Sequence, residues 1–287
     1  MTNLLNPKVS VLMPVYQTPE TYLREAIESI LTQTYTNFEF LILDDCPANP
    51  VENIVKSYHD KRIKYFKNKQ NLGISPSRNK LIDLSKGEYL AVMDHDDISL
   101  PTRFEKEVAF LDSHPDVGVV GTWSKEIVKS KILKKPEADH KIKVALMRSC
   151  AILHPSSMIR KSVLIDNNIR YEAEFSPAED YALWCRLIGI TKFANIQEVL
   201  FHYRNHKNNS SHTKSSKMDD ASLALWASVQ AQYPALYNEL LLSSSQTSTI
   251  RLFGFLPLFK IIKQNRRTKI YLFGKIPFLN IKTSLRY

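Results

Sequence analysis

Three carboxylates stand within four residues directly after an apolar run, because Asp94, Asp96 and Asp97 follow residues 89–93. Such a run predicts a buried strand, and open α/β sheets bind their ligands at the carboxyl ends of the strands. Neighbouring carboxylates repel one another, so a divalent cation or a ligand rich in hydrogen-bond donors is expected to hold them together. The alternative is a solvated turn in which an aspartate caps the helix that begins near Pro101.

A second apolar run, residues 38–43, also ends in carboxylates, those of Asp44 and Asp45. Residues 9–16 and 63–66 are further predicted strands, and helices of about ten residues separate consecutive strands. This alternation is typical of right-handed βαβ units. The sequence therefore predicts an α/β fold with a mostly parallel central sheet flanked by helices.

A complete helix-start signal precedes Asp180. Ser176 is the predicted N-cap, Pro177 the first helical residue and Glu179 the partner that completes a capping box. Glu179 therefore has a structural role, whereas Asp180 has no capping role. A carboxylate near a helix N-terminus is held ionised by the helix dipole, which suits a general base. The alternative is an acid that only complements the dipole.

Three further histidines and an arginine are candidates for binding. Residues 199–206 alternate like an edge strand and place His202, Arg204 and His206 on one face. A histidine there could complete the coordination sphere of a metal ion, and an arginine could bind phosphate. His154 has two interpretations: a hydrogen-bonded histidine beside a turn, or a residue that binds acceptor or diphosphate. The polar segment 208–217 is a predicted mobile lid.

Composition excludes several classes of protein. The 287 residues are 44% hydrophobic and 24% charged, which is typical of a globular chain. Seven glycines leave no dinucleotide-binding fingerprint and no P-loop. The three cysteines form no CxxC pair, so a zinc site and a disulfide framework are not expected. No signal peptide or membrane-spanning run is visible, and a reducing, cytoplasmic location fits.

The basic charge is concentrated at the C-terminus. Nine of the 39 basic residues and none of the 29 acids lie in residues 250–287, which leaves 30 bases against 29 acids in the rest of the chain. Large apolar residues alternate with these bases more often than a nucleic-acid-binding arm requires. We therefore expect the tail to bind an anionic membrane surface and not nucleic acid.

Five segments together resemble the family 2 glycosyltransferases of the GT-A fold over residues 7–212. These are VSVLMPVY at 9–16, ILDD at 42–45, NLGISPSRN at 71–79, GEYLAVMDHDD at 87–97 and EDY at 179–181. The tail, with YLFGKIP at 271–277, looks like the tails of bacterial enzymes that build lipopolysaccharide or capsule chains.

The resemblance implies roles for residues on the nucleotide side. Pro14 and Tyr16 would border the nucleotide pocket. Asp45 would bind the uracil edge, with Asp44 behind it, and Arg78 would lie near the diphosphate.

The resemblance also implies a DxD element. Asp96 would bind Mn²⁺ or Mg²⁺ bridging the two phosphates, and Asp94 would approach the ribose or the metal. Asp97 and His95 would support the same donor site. His206 matches a position where some family members supply a third metal ligand.

By the same resemblance Asp180 is the general base. Glu179, His154 and Arg204 are further candidate substrate-binding residues. One base without a covalent nucleophile predicts a single displacement with inversion, by analogy with inverting glycosidases. The expected activity is transfer from a UDP-sugar to a growing bacterial surface glycan, on a lipid carrier or lipid A core. The expected location is the inner face of the plasma membrane.

The expected organisation is a GT-A catalytic domain at residues 1–212 and a helical, basic, membrane-associating region at residues 213–287. Within the catalytic domain, residues 7–122 form the nucleotide-binding half and residues 123–212 the acceptor-binding half. The alternatives are an inactive sugar-nucleotide-binding or scaffold protein of this fold, a nucleotidyltransferase, and a nucleic-acid-binding protein. A nucleotidyltransferase would need a glycine- and arginine-rich N-terminal loop, which residues 13–17 do not supply.

Overall fold

The computed structural model describes two compact units, residues 1–227 and residues 228–287. The residues described are 6–206, 215–243, 246–252, 256–264, 267–272 and 276–282. Residues 208–214 of the predicted lid and residues 273–275 of the tail motif lie outside them.

A nine-stranded mixed sheet forms the centre of the first unit, with the strand order β3-β2-β1-β4-β8-β6-β9-β5 and with β7 paired to β6. The strands are β1 (Val9–Val15), β2 (Phe38–Asp44), β3 (Ile63–Lys67), β4 (Tyr89–Val92), β5 (Ile98–Ser99), β6 (Val117–Glu126), β7 (Ile132–Leu133), β8 (Met158–Arg160) and β9 (Lys192–Tyr203). The predicted α/β fold is confirmed.

The four strands β3, β2, β1 and β4 are parallel to one another, as expected for βαβ units. Strand β8 runs antiparallel to both β4 and β6, and β6 is again parallel to β9. The parallel strands β1 and β2 are buried along their whole length, which explains their uninterrupted apolar sequences. The acids at the carboxyl ends of β2 and β4 therefore lie on the same side of the sheet, where these parallel strands end.

Helices cover the sheet: α1 (Glu20–Leu31), α2 (Glu52–Lys56), α3 (Ile74–Leu84), α4 (Arg103–Ser113), α5 (Asp139–Leu146), α6 (Lys161–Ile165) and α7 (Glu179–Leu187). Two 3₁₀ turns cover His154–Ser156 and Ala173–Phe175. Helix α1 shows why these segments are helical, because Leu23, Ala26, Ile27 and Ile30 recur at helical spacing and are all buried in the core.

The start of α7 differs from its prediction. The helix begins at Glu179 with Ala178 as its N-cap, and no side chain caps it. The predicted capping box of Ser176 and Glu179 is therefore wrong. Glu179 instead accepts a hydrogen bond from the Arg78 guanidinium at 2.8 Å. A charge-assisted bond of this kind is stronger than the neutral bond that a capping box would provide.

Strand β9 also differs from its prediction, because it is not at an edge. It pairs with β6 on one side and with the two-residue strand β5 on the other. The strand ends at Tyr203, so Arg204 and His206 lie beyond it and do not continue its alternation. The reason is that Asp97 binds the backbone N–H of Arg204 at 2.7 Å and takes it out of the strand.

Two helices, α8 (Ser215–Gln232) and α9 (Pro234–Ser243), lie in the region 213–287 that was expected to be helical. The second unit contains a four-stranded antiparallel meander of β10 (Gln246–Leu252), β11 (Leu256–Gln264), β12 (Arg267–Leu272) and β13 (Ile276–Lys282). The expectation of a helical region over residues 213–287 is therefore wrong for residues 246–282, whose described segments are strands. None of the helices in the described residues combines the length and apolarity needed to cross a bilayer.

Candidate active site

The turn after β4 confines negative charge. Asp94, His95 and Asp96 are half-buried and Asp97 is buried. Burial, together with the neighbouring charges of Asp96 and Asp94, raises the pKa of Asp97 well above its usual value. Oδ2 of Asp97 is buried, and none of the described residues provides it with a hydrogen-bond partner. An unpartnered buried carboxylate oxygen beside further acids is a place where a cation or a donor group would be stabilised.

His206 contacts the same turn. Its Nε2 lies 2.8 Å from Oδ2 of Asp96, although the two residues are 110 positions apart in the sequence. The ring of His206 also lies against Tyr22 of α1, with 5.7 Å between the ring centroids. Asp96 and His206, two of the candidate metal ligands, are thus in direct contact.

Arg204 holds this arrangement together. Its Nε donates to the backbone carbonyl of Asp96 at 2.7 Å, and its guanidinium lies 4.1 Å from the centroid of the Tyr22 ring. The same guanidinium forms an ion pair with Glu25 of α1. These contacts fix the acidic turn to α1, so the geometry shows a positioning role for Arg204 in place of a free phosphate ligand.

Arg78 joins the acidic turn to the start of α7. This buried arginine of α3 forms ion pairs with Glu179 at 2.8 Å and with Asp94 at 3.3 Å. Its guanidinium also lies 5.4 Å from the ring centroid of Tyr171. Arg78 therefore shares its one positive charge between two carboxylates and links the two parts of the site.

Asp180 lies in the first turn of α7, directly after Glu179. Burial raises its pKa to about 6, and the charge of Glu179 adds to this effect while Arg78 opposes it. Its Oδ1 accepts a hydrogen bond from the backbone N–H of Tyr181 at 2.7 Å. A carboxylate with a pKa of about 6 is mostly ionised near neutral pH and is a better proton acceptor than an ordinary aspartate.

His154 is buried and has a partner. Its Nε2 lies 2.7 Å from the hydroxyl oxygen of Tyr171, and the two rings meet edge to face. Burial, with a further contribution from Arg78, lowers the pKa of His154 well below its usual value, so the ring is neutral. The structure therefore agrees with the first interpretation of His154, that of a hydrogen-bonded histidine beside a turn.

The acids after β2 are engaged by their own loop. Asp45 accepts from the backbone N–H groups of Leu72 at 2.8 Å and Gly73 at 2.9 Å, and from the side chain of Asn68 at 2.8 Å. Gly73 has a φ of 86°, a conformation in which other residues are strained. Asp45 thus closes the turn that leads into α3.

Asp44 is buried behind Asp45. Its side chain accepts from the backbone N–H groups of Cys46 at 2.9 Å and Val51 at 2.8 Å, and from the Tyr65 hydroxyl at 2.8 Å. Pro14 is buried at the end of β1, whereas Tyr16, just beyond it, has an exposed fraction of 46%. The ring of Tyr16 is therefore free to contact a ligand at this edge of the sheet.

Comparison with known proteins agrees with this architecture. Residues 10–166 match the family described as Glycosyl transferase family 2. An uncharacterized glycosyltransferase of Methanocaldococcus jannaschii is 39% identical over 223 residues, which cover 74% of this chain and 76% of that protein. The chain belongs to glycosyltransferase family 2.

Two solved structures share the fold of this family 2 glycosyltransferase. One is Staphylococcus aureus TarS 1–349 in complex with UDP-GlcNAc, with a TM-score of 0.67 at 21% identity, covering 82% of this chain and 71% of that chain. The other is the mannosyltransferase PcManGT of Pyrobaculum calidifontis in complex with GDP-Man and Mn²⁺, with a TM-score of 0.56 at 15% identity, covering 80% and 76%.

The donor atoms of the glycosyltransferase fit a divalent ion in part. Asp96 and His206 offer a carboxylate oxygen and an imidazole nitrogen in contact with each other, and both are ligand types for divalent metal ions. Within the part of the chain that the structure describes, no group of three or more His, Cys, Asp or Glu side chains is arranged to hold an ion. The remaining ligands would have to be phosphate oxygens or water.

Sequence reasoning missed a buried ion pair that supports the acidic turn. Arg103 of α4 is completely buried, and its Nη2 donates to the carbonyl oxygens of Val92 and Ser157, each at 3.0 Å. Its Nε donates to Glu107 at 3.0 Å. Two opposite charges at positions i and i+4 on the apolar face of α4 were the available signal. Arg103 thereby fixes the end of β4 against the turn that follows His154.

Proposed function

We propose that this family 2 glycosyltransferase transfers a hexose or an N-acetylhexosamine from a UDP-sugar to a hydroxyl group of a growing bacterial surface glycan. The reaction inverts the anomeric carbon and depends on a divalent metal ion. The observation that carries the proposal is the double ion pair of Arg78, which links Asp94 of the acidic turn to Glu179, the neighbour of Asp180.

Asp180 is the general base in this proposal. Its carboxylate accepts the proton of the acceptor hydroxyl while the hydroxyl oxygen attacks the anomeric carbon. The bond between that carbon and the diphosphate oxygen breaks in the same step, and the nucleoside diphosphate leaves. A single displacement of this kind inverts the configuration.

Asp96, Asp94 and His206 are the proposed ligands of Mn²⁺ or Mg²⁺. The ion would supply Lewis-acid stabilisation of the negative charge on the departing diphosphate. The Mn²⁺ in the Pyrobaculum mannosyltransferase complex supports a divalent ion in this fold. Arg78 stays paired to Asp94 and Glu179, so it contributes its charge to the site through these two carboxylates.

The nucleotide is proposed to be UDP because TarS binds UDP and UDP-GlcNAc. GDP is a second candidate, since the Pyrobaculum enzyme holds GDP-Man. Pro14, Tyr16, Asp44 and Asp45 are proposed to form the nucleotide side of the site. His95, Asp97, Glu179, His154 and Arg204 are proposed to support donor and acceptor around it.

The same proposal places the enzyme in the cytoplasm at the inner face of the plasma membrane. Residues 1–212 would form the catalytic domain, and residues 213–287 would bind anionic lipid through the basic tail. The acceptor would be a glycan or a lipid-linked glycan, and nucleic acid would not be a partner.

The test is release of nucleoside diphosphate from a panel of UDP- and GDP-sugars, with Mn²⁺ and with a chelator. We expect one donor to be turned over in a metal-dependent reaction that Asp180→Asn abolishes, and NMR of the product to show the inverted anomer. Retention of the donor's configuration would exclude the single displacement. Binding of a donor without turnover, with lipid-linked acceptors supplied, would favour the inactive sugar-nucleotide-binding alternative.

A further inference from the structure

A basic hairpin extends from the first unit beside the candidate active site. We define it as residues 125–135, with the sequence KEIVKSKILKK, which contains five lysines and one glutamate. Strand β6 enters it and β7 leaves it, with Lys125 opposite Ile132. The backbone N–H of Glu126 donates to the carbonyl of Lys131 at 2.8 Å, and Ser130 has a φ of 54° at the tip. The hairpin is therefore an ordered turn.

The tip of the basic hairpin combines apolar exposure with positive charge. Val128 has an exposed fraction of 74%, the highest among the large apolar side chains that the structure describes, and Ile132 has 47%. Lys129, Lys131 and Lys134 are exposed around them. The single acid, Glu126, is buried at the base of the hairpin.

The base of the hairpin is tied to the active site. The Glu126 carboxylate accepts from the side-chain amide of Asn205 at 3.1 Å, and the backbone N–H of Ile127 donates to Tyr203 at 3.0 Å. Asn205 directly precedes His206. The hairpin therefore leaves the sheet at the edge where Asp96 and His206 meet.

From this combination we infer that the basic hairpin docks the enzyme on an anionic lipid surface, with Val128 and Ile132 in the headgroup region and the lysines on the lipid charges. Two exposed apolar side chains are too few for a stable protein interface, which buries about 800 Å² on each partner. They are also more than a nucleic-acid arm needs, whereas insertion of apolar side chains between lysines suits a bilayer surface.

The consequence concerns the acceptor, and this part rests on the proposed function. A hairpin seated on the bilayer brings the edge of the sheet that carries Asp96 and His206 close to the lipid surface. The acceptor that such a site takes is one whose sugar is attached to a membrane lipid. Vesicle binding itself does not depend on turnover, so the two claims fail separately.

The first experiment is cosedimentation of the full chain with vesicles of phosphatidylcholine alone and of equal parts phosphatidylcholine and phosphatidylglycerol. The charge variant is Lys129→Gln with Lys131→Gln and Lys134→Gln, and the apolar variant is Val128→Ser with Ile132→Ser. Each variant is expected to bind the anionic vesicles at least about tenfold more weakly than the parent does. Each is also expected to release nucleoside diphosphate from a soluble donor at the parent rate.

The controls remove the same kinds of side chain elsewhere on the surface. Lys61→Gln with Lys64→Gln and Lys69→Gln removes three exposed charges around β3, and Ile190→Ser removes an exposed apolar side chain after α7. Both controls are expected to bind vesicles as the parent does. Parent-like binding by both hairpin variants overturns the proposal, and so does an equal loss in the controls.

A second measurement reports insertion at a single residue. An environment-sensitive fluorophore on Val128→Cys is expected to shift to the blue when anionic vesicles are added, whereas the same label on Ile190→Cys is not. Cys46 and Cys185 are buried and Cys150 is half-buried, so the labelled parent provides the blank. An unshifted label at residue 128 contradicts insertion. Loss of RNA binding in the charge variant, with vesicle binding intact, would make the hairpin a nucleic-acid site instead.

Discussion

The imidazole Nε2 of His206 lies 2.8 Å from the Oδ2 of Asp96. One residue follows β4 and the other follows β9, so the contact joins the two halves of the sheet at one point. Tyr22 and Arg204 hold the two side chains in place from the α1 side.

The first prediction follows from this contact. His206→Ala is expected to weaken Mn²⁺ binding in the presence of nucleoside diphosphate by about ten- to a hundredfold, because it removes a nitrogen donor from the site. Isothermal titration calorimetry measures the affinity without any turnover. His59→Ala, at an exposed position after α2, is the control and should bind Mn²⁺ as the parent does. Equal affinities in the parent and in His206→Ala would exclude His206 as a ligand.

The second prediction concerns the pH dependence of the transfer. The pKa of Asp180 is raised to about 6, and a general base must be deprotonated, so activity is lost as the pH falls through that value. We expect kcat/KM to decline by about tenfold per pH unit below the pKa and to level off above it. Asp180→Asn should lower kcat by about a hundredfold or more while leaving donor affinity intact. An acid limb at the pH of an ordinary aspartate would contradict the raised pKa.

The third prediction separates Arg78 from a simple structural role. The guanidinium lowers the pKa of Asp180, so Arg78→Gln is expected to move the acid limb of the kcat/KM profile to higher pH. Arg78→Lys keeps a positive charge and should move it less. Loss of one partner from a buried ion pair lowers the free energy of unfolding by about 3–5 kcal/mol. The thermal unfolding of each variant is therefore measured together with its pH profile. A folded Arg78→Gln enzyme with the parent profile would show that Arg78 does not act on Asp180.

The fourth prediction concerns the buried pair of Arg103 and Glu107. Arg103→Met is expected to lower the free energy of unfolding by about 3–5 kcal/mol, because it leaves a buried acid and two carbonyl oxygens without a donor. Adding Glu107→Met should recover part of this loss, since the unpaired acid is then gone. Urea denaturation measures both variants.

The control for this cycle is Lys106→Met on the same helix. Lys106 pairs with Glu198 at the surface, and an exposed pair of this kind contributes about 1 kcal/mol or less. A double variant no more stable than Arg103→Met would show that the acid is not the costly partner.

Local patterns were enough to predict most of the first unit. Strands β1, β2 and β4 are continuous apolar runs, and α1 carries a clear helical period, so burial and sequence agree. The pattern failed at the start of α7. There the partner of Glu179 is Arg78, 101 residues away, and no capping rule includes so distant a residue.

The site was predictable to the same extent. The acids after β2 and β4 could be placed because they end strands, and Asp180 because it lies at a helix start. The supporting contacts could not be predicted, since Arg204 reaches Glu25 across 179 positions and Arg103 reaches Ser157 across 54. Only the folded sheet brings these residues together.

The turn closed by Asp45 also provides a probe of how the nucleotide binds. The amide protons of Leu72 and Gly73 are bound to the Asp45 carboxylate, so they exchange with deuterium only when this turn opens. A nucleobase that hydrogen-bonds to Asp45 must compete with both amides, so their exchange would accelerate when nucleotide is added. A nucleobase that binds over the closed turn would slow the same exchange. The exchange rates of these two backbone amides therefore distinguish the two modes of recognition.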